Sequence, residues 1–557
     1  MNDILDTVFN EVLKEDFVEV IPNIPNGENN KYAVCWRLVT EIDISQRATE
    51  IELHIGLSDN FPYEIPDIYF LDKRYDYFPH VDFENRKLCL FEDDSIINAT
   101  VPLQVLKSCI RQAKKLIERG VNKQNECDFI EEIANYWILP YNGEKSVDTR
   151  YIVYGQPKNK CLLNIVTNAM GVKMIVADEE LNDIKRWFVQ CGCTEKVLFM
   201  PSVKVASKPP YNMSYGDFFN LVNKEEKEAI RSFVSKYSQL NILFPLSDNH
   251  LYGGYHLGYI NTNLNGFRSG KVSPTKVLDL KYRNKKMPRI TAYAYNKARI
   301  EERTSGVRQA NYTFAVMGCG SIGSNLCTFL NAYNDVSFVL VDNDMFSVDN
   351  IGRHILGIND VFYSKVDALK NSFLSVKPEM KINVCRKNMY DINPNIVTDC
   401  NAVFLCTGNL SAEYYFVRQL EKNELKRPFF VLWLEPYAIA GHLIYVSETD
   451  GYKTFRNCFD AKGNYKYNMI ATTEYEKPAL LKKRDAGCNG SYVNYSGNDV
   501  MLFLSSMYPL ISEIIENKTL STCYRWVGNI NTAKEKGIAL TNEEVRKNQI
   551  NIYPCQQ

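Results

Sequence analysis

Phe314-Ala315-Val316-Met317-Gly318-Cys319-Gly320-Ser321-Ile322-Gly323 is the stretch that decides the fold of the second half of this chain. Its first four residues read as a short buried strand, and the three glycines that follow open a helix. The first glycines allow a tight turn and let backbone come close to a phosphate. The helix start then offers unpaired N–H groups and a favourable dipole. A second strand is predicted over Val336 to Val341, and it ends at Asp342. That carboxylate lies about twenty residues beyond the glycines, where such folds place the acceptor for ribose hydroxyls. The expectation is a parallel sheet with a nucleotide crevice.

The residues that follow argue against a plain dinucleotide site. Asp342-Asn343-Asp344 leads into Val348-Asp349-Asn350-Ile351-Gly352-Arg353-His354 and then Lys365. This run resembles the DxDxVxxxNxxRQ signature and later lysine of the ThiF/MoeB-like and ubiquitin-activating adenylation family. The resemblance implies a Rossmann-like α/β domain that binds ATP and Mg2+. Gly318, Gly320 and Gly323 would cradle the phosphates, Asp342 would hold the ribose, and Asn350, Arg353 and Lys365 would engage the phosphates. Cations beside a phosphate loop suit an adenylation transition state better than simple dinucleotide binding. The family's later Cys-Thr-Asp-Asn-like segment is here Cys406-Thr407-Gly408-Asn409, so the magnesium-holding aspartate is missing, and either Asp344 or another carboxylate compensates or metal binding is weaker. The resemblance also implies a homodimer in which an upstream arginine, Arg299 or Arg303, reaches the phosphates of the other copy.

Further on, Ala486-Gly487-Cys488-Asn489-Gly490 follows the basic stretch Leu481 to Arg484 and precedes a helix expected over Asp499 to Met507. Neighbouring cations favour a thiolate, and the glycines would let the segment move. In activating enzymes the nucleophile sits on a crossover loop before such a helix, which points to Cys488. Cys458 and Cys523 are rivals without this frame, and Cys406 at a strand end reads as structural.

A second thiol lies near the start. Residues 31–40 and 50–57 read as strands, Pro62 and Pro66 flank a turn, and residues 67–71 resume strand character. His80-Val81-Asp82 and Leu88-Cys89-Leu90 follow. Pro102 then opens a helix whose Leu103, Leu106, Ile110, Ala113 and Ile117 recur on one face. Cys109 falls on or beside that stripe and reads as core. This order resembles the ubiquitin-conjugating fold, an α+β domain, and implies that Cys89 is its nucleophile. Asp82 stands where that family has an asparagine. An ionised aspartate offers no N–H and would oppose a developing oxyanion. His80 is expected to shape the loop more than to move protons.

Three domains are expected: a conjugating-like domain over 1–145, a central α/β linker domain over 146–295 and an adenylation domain over 296–557. In the middle, 251–256 and 261–273 read as turns and loops, and His250 and His256 as ordinary hydrogen-bonding residues. With 557 residues, 45% apolar, 24% charged and a net charge of -1, the composition is that of a globular multidomain chain with no bulk affinity for nucleic acid. The basic run 281–286 reads as a solvated face. Sixteen cysteines are too dilute for a disulfide scaffold, and without paired CxxC motifs no structural zinc is expected. No apolar run is long enough to span a bilayer, so a reduced cytoplasmic location is expected.

The whole order, conjugating-like domain first and adenylation domain last, resembles bacterial antiphage fusions of the CBASS type. That resemblance implies activation of a partner protein's C-terminal carboxylate as an acyl-adenylate, a thioester on Cys488, transfer to Cys89 and conjugation to an acceptor amine. The partner implied is a cGAS-like nucleotidyltransferase. Two other readings stay open: ThiF/MoeB-like adenylation with sulfur transfer to a carrier protein, and a non-catalytic nucleotide-binding scaffold.

Overall fold

The computed structural model describes residues 2–13, 17–90, 98–141, 147–157, 162–188, 194–204, 208–209, 211–246, 251–263, 268, 272–295, 297–303, 311–333, 335–484, 491–517, 519–541 and 544–555. They form two compact units, one built from 1–185 with 189–296, the other from 186–188 with 297–557. The architecture is mixed α/β, as the sequence led us to expect.

The first unit begins with α1 (Asn2–Val12) and an antiparallel sheet of β1 (Phe17–Ile21), β2 (Tyr32–Ile44), β3 (Arg47–Ser58) and β4 (Asp67–Tyr69), in that order. Across one face lies α2 (Pro102–Val121), whose Leu106, Cys109, Ala113 and Ile117 are fully buried. Burying each large aliphatic side chain of that stripe contributes about 1.5–3 kcal/mol. Cys109 is therefore core, and its thiol is pushed up to about 12 by burial. Two short helices follow, α3 (Asp128–Glu131) and α4 (Ile133–Ile138).

Residues from 148 onwards close into a seven-stranded barrel among the described residues. Its strands are β5 (Asp148–Tyr154), β6 (Leu162–Thr167), β7 (Lys173–Val176), β8 (Thr194–Phe199), β9 (Gln239–Pro245), β10 (Leu251–Tyr259) and β11 (Arg289–Tyr295). The helices of this region are α5 (Leu181–Trp187), α6 (Tyr215–Leu221), α7 (Lys224–Tyr237) and α8 (Pro274–Val277). The tract 251–256, expected as a turn, is the start of β10. Gly253 and Gly254 mark close packing there: a Cβ on Gly254 would lie 2.4 Å from the Ile242 carbonyl oxygen of β9. Glycine in a strand can signal close approach of another backbone as readily as a turn. The stretch 261–273 lies partly outside the described residues, as does His250. His256 pairs with Glu195, Nε2 to Oε2, at 2.6 Å.

The second unit carries α9 (Lys297–Arg303), which contains both candidate upstream arginines, and an eight-stranded sheet. Its strands are β12 (Asn311–Met317), β13 (Asp335–Val341), β14 (Ile382–Cys385), β15 (Ala402–Leu405), β16 (Phe429–Leu434) and β17 (Ala440–Val446), with two added beyond a hairpin. That hairpin is β18 (Lys483–Arg484) with β19 (Ser491–Tyr492); the added strands are β20 (Thr522–Val527) and β21 (Ile550–Pro554). The order is β14-β13-β12-β15-β16-β17-β20-β21, parallel from β14 to β16 and antiparallel beyond. The helices are α10 (Ser321–Leu330), α11 (Lys365–Val376), α12 (Leu410–Lys422), α13 (Tyr452–Asn457), α14 (Pro478–Leu481), α15 (Gly497–Asn517) and α16 (Ile530–Lys536). Helix α15 runs ten residues beyond the predicted end at Met507, because its buried face continues through Ile511 and Ile514. No described helix is long and apolar enough to cross a membrane.

Candidate active sites

Open parallel sheets bind ligands outside the carboxyl ends of the strands, where strand order reverses. Here that point lies between β12 and β15, since the chain leaves β12 towards β13 and β14 on one side and β16 on the other. Gly318 follows β12 with φ +88, and a Cβ on it would lie 2.9 Å from the Cys406 carbonyl. A Cβ on Gly323 would lie 2.0 Å from the Gly318 carbonyl oxygen, so the loop folds back tightly on the first turn of α10. Gly320 caps that helix without a side-chain hydrogen bond and has open space beyond it. The unfilled helix start and the tight glycine turn fit a phosphate group.

Asp342 extends from the end of β13. One of its oxygens accepts from Cys319 N at 2.7 Å and the other from Asp344 N at 2.8 Å, and burial raises its carboxyl above the ordinary range. Lys365 Nζ, at the start of α11, lies 2.8 Å from Asp344 Oδ2. Asn350 Oδ1 accepts from Ser347 N at 3.0 Å, closing the turn that leads to Arg353. The Arg353 carbonyl accepts from Ser321 Oγ and Asn325 Nδ2 of α10, at 3.1 and 3.0 Å. Its guanidinium donates to Val493 O at 3.3 Å and lies over the Tyr495 ring. Gly318, Gly320, Gly323, Asp342, Asp344, Asn350, Arg353 and Lys365 thus belong to one connected set of loops.

His354 is a supporting residue that the sequence reading quoted without a role. Its Nε2 lies 2.8 Å from Cys319 O, while its Nδ1 accepts from Leu356 N at 3.1 Å. Burial lowers the imidazole to about 4, so it stays neutral and braces the glycine loop.

Glu413 of α12, also unforeseen, lies almost fully buried beside Gly408. Its Oε1 accepts from Thr407 Oγ1 at 2.7 Å, and desolvation raises its carboxyl to about 7. The folded state therefore holds a proton there that the unfolded chain releases near pH 4.5. Stability is expected to fall as pH rises from about 4.5 to 7, by a total on the order of 3 kcal/mol. Thermal melts of the wild type and Glu413→Gln across that range check this: the variant should lose that part of the slope.

Cys488 lies outside the described residues. Its flanks pair as β18 and β19, Lys483 with Tyr492 and Arg484 with Ser491. Just past β19, Val493 accepts the Arg353 hydrogen bond, so one flank of the cysteine segment is bonded to the nucleotide crevice. The rivals Cys458 and Cys523 are buried together with Cys555. Cys523 Sγ lies 3.5 Å from Cys458 Sγ and 3.3 Å from Cys555 Sγ. Hydrogen bonds from those two thiols lower the pKa of Cys523. The three sulfurs lie within 4.8 Å of one another and could hold a metal ion. Cysteine spacing could not show this grouping, for the three thiols come from the end of a helix, a sheet strand and a residue just past the last strand, far apart in sequence. Cys406 is buried at a strand end.

Cys89 is exposed. Its N–H donates to His80 O at 2.8 Å, across a narrow ladder in which Val81 pairs with Leu88. Asp82 Oδ1 accepts from Glu84 N and Asn85 N, both at 2.9 Å, so its carboxylate closes the turn before the thiol. His80 has φ 62. Its Nε2 lies 3.0 Å from Asp128 Oδ2 and its Nδ1 3.4 Å from Glu132 Oε2, while its backbone N–H donates to Tyr136 Oη at 2.7 Å. Asp128, Glu132 and Tyr136 were not foreseen from the sequence. Nothing local marks them, because they meet His80 only through the packing of α3 and α4.

Residues 301–471 match the ThiF family, and residues 36–144 match the prokaryotic E2 family B. A probable molybdopterin-synthase adenylyltransferase of Porphyra purpurea is 27% identical over 100 residues, 18% of this chain and 26% of that protein. Ubiquitin-like modifier-activating enzyme 5 of Caenorhabditis elegans is 25% identical over 146 residues, 24% of this chain and 34% of that one. The matches thus span between a quarter and about a third of these relatives. Among solved structures, PaaA aligns with 13% identity and a TM-score of 0.33 over 44% of this chain and 73% of its own. MccB of E. coli with MccA-N7isoASN aligns with 11% identity and a TM-score of 0.31, over 44% and 64%. The glycine crevice thus lies in a ThiF adenylation domain and the Cys89 turn in a prokaryotic E2-like domain, a pairing consistent with an E1/E2 fusion.

Proposed function

We propose that this chain activates the C-terminal carboxylate of a partner protein and passes it along two thiols to an acceptor amine. A carboxylate oxygen attacks the α-phosphorus of ATP and pyrophosphate leaves. The Cys488 thiolate attacks the acyl carbon and AMP leaves. The Cys89 thiolate then displaces Cys488, and an amine finally displaces Cys89. Each thioester keeps the activated acyl group from being lost to water.

The observation that carries this reading is the pairing of the two matched domains, with Cys89 inside the E2-like match over 36–144 and Cys488 beyond the end of the ThiF match over 301–471. Gly318, Gly320 and Gly323 would cradle the phosphates, Asp342 the ribose, and Asn350, Arg353 and Lys365 the charge developing on the phosphates. Magnesium would be used with ATP. Gly408 offers it no carboxylate, and Asp344 is an exposed acid within the signature. An exposed apolar patch on Met345, Val348, Ile358, Phe362 and Tyr363 supports a homodimer. In it Arg299 or Arg303 would reach the other copy's phosphates. The order of the domains favours a cGAS-like nucleotidyltransferase as donor, in antiphage defence in the cytoplasm.

The test is intact mass after incubation with Mg-ATP and candidate donors, starting with a cGAS-like nucleotidyltransferase. A thiol-labile adduct of donor mass minus water is expected. ATP turnover with a thiocarboxylate on the carrier and no protein adduct would favour sulfur transfer instead, and failure to bind ATP would favour a scaffold.

A further inference from the structure

A thioester that is attacked by an amine develops negative charge on its carbonyl oxygen, and a hydrogen-bond donor aimed there lowers the barrier. Asp82 cannot supply it. Its carboxylate has no N–H, and one of its oxygens already accepts from two amides of its own turn. Two nearby backbone donors are also committed: Cys89 N–H goes to His80 O, and His80 N–H goes to Tyr136 Oη. Both ring nitrogens of His80 face carboxylates.

One donor remains. The Tyr136 hydroxyl accepts from His80 N–H, while its own proton goes to no described residue. A hydroxyl that accepts one hydrogen bond becomes a better donor for the next. We propose that Tyr136 is a catalytic residue of the E2-like site, donating a hydrogen bond to the oxyanion that forms on the Cys89 thioester. This inference rests on the conjugating reading above. The geometry ties both partners to one residue: His80 holds the Cys89 backbone through its carbonyl and the Tyr136 hydroxyl through its N–H. Burial raises the phenol well above its ordinary value, and the charges of Glu132, Asp128 and Cys89 add to that, so the proton stays on. His80, with Asp128 and Glu132, is then a positioning residue whose left-handed backbone presents its two peptide groups to the Cys89 amide and the phenol.

The step balances simply. The amine nitrogen attacks the carbonyl carbon, the π pair moves to oxygen, and Tyr136 donates a hydrogen bond without losing its proton. Collapse re-forms the carbonyl, breaks the C–S bond and expels the Cys89 thiolate. The proton released by the amine goes to solvent.

The test follows single-turnover discharge of a preformed donor thioester on Cys89 to free lysine. Tyr136→Phe starts from the same amount of preformed thioester as the wild type, so that discharge is read apart from loading. Its maximal discharge rate should fall about 10²-fold, with the lysine concentration for half-maximal rate unchanged. A second variant carries a fluorinated tyrosine at 136, whose phenol ionises near neutrality. Its discharge rate should drop as pH rises through that ionisation, an effect that a packing role would not produce. Wild-type discharge by Tyr136→Phe, or a flat pH profile with the fluorinated residue, would overturn the assignment. Absence of any Cys89 thioester in the wild type would instead overturn the conjugating reading on which it rests.

Discussion

Cys488→Ala is expected to abolish thioester formation on both cysteines while leaving ATP–pyrophosphate exchange intact. Cys89→Ala should instead trap the donor on Cys488. The asymmetry follows from chemical order, since the adenylate forms before either thiol acts. Losing a covalent nucleophile removes a whole step, so conjugate formation should fall on the order of 10⁴-fold or more in either variant. Intact mass with and without reductant reads the outcome. A thiol-labile adduct that forms on Cys89 equally well in Cys488→Ala would reject the relay.

Lys365→Met should give the second large effect, a fall of about 10³-fold in ATP–pyrophosphate exchange. The ammonium lies 2.8 Å from Asp344 in the crevice of the ThiF domain. In the proposed reaction its loss would remove a cation where phosphate charge develops and leave the Asp344 carboxylate unbalanced there. Arg353→Met should act in the same direction and also release Val493, next to the flank of the Cys488 segment. Alkylation of Cys89 by iodoacetamide serves as the control and should proceed at the wild-type rate in both variants. Equal exchange in the wild type and Lys365→Met would remove Lys365 from the site.

Both domains could be read from the sequence because their markers are local. A four-residue apolar strand, glycines at fixed spacing and an acid at the end of the next strand carry their meaning within about thirty residues. The stripe of α2 is equally local, and it placed Cys109 in the core. Local reading failed where glycine has two meanings: Gly253 and Gly254 signalled a turn but mark a close strand pair. It also failed to foresee Glu413, because the cost of burying its carboxylate depends on the elements packed around it.

The sequence alone therefore determined the nature of the two domains and their candidate thiols, since backbone geometry and short-range spacing encode them. Tertiary structure decided the rest. It brought Asp128, Glu132 and Tyr136 to His80 across about fifty residues, and it gathered Cys458, Cys523 and Cys555 into one buried cluster. It also engaged Asp82 in closing a turn. Such contacts join residues with no fixed spacing in the chain. They follow from which faces pack together, and that is settled only when the whole core closes.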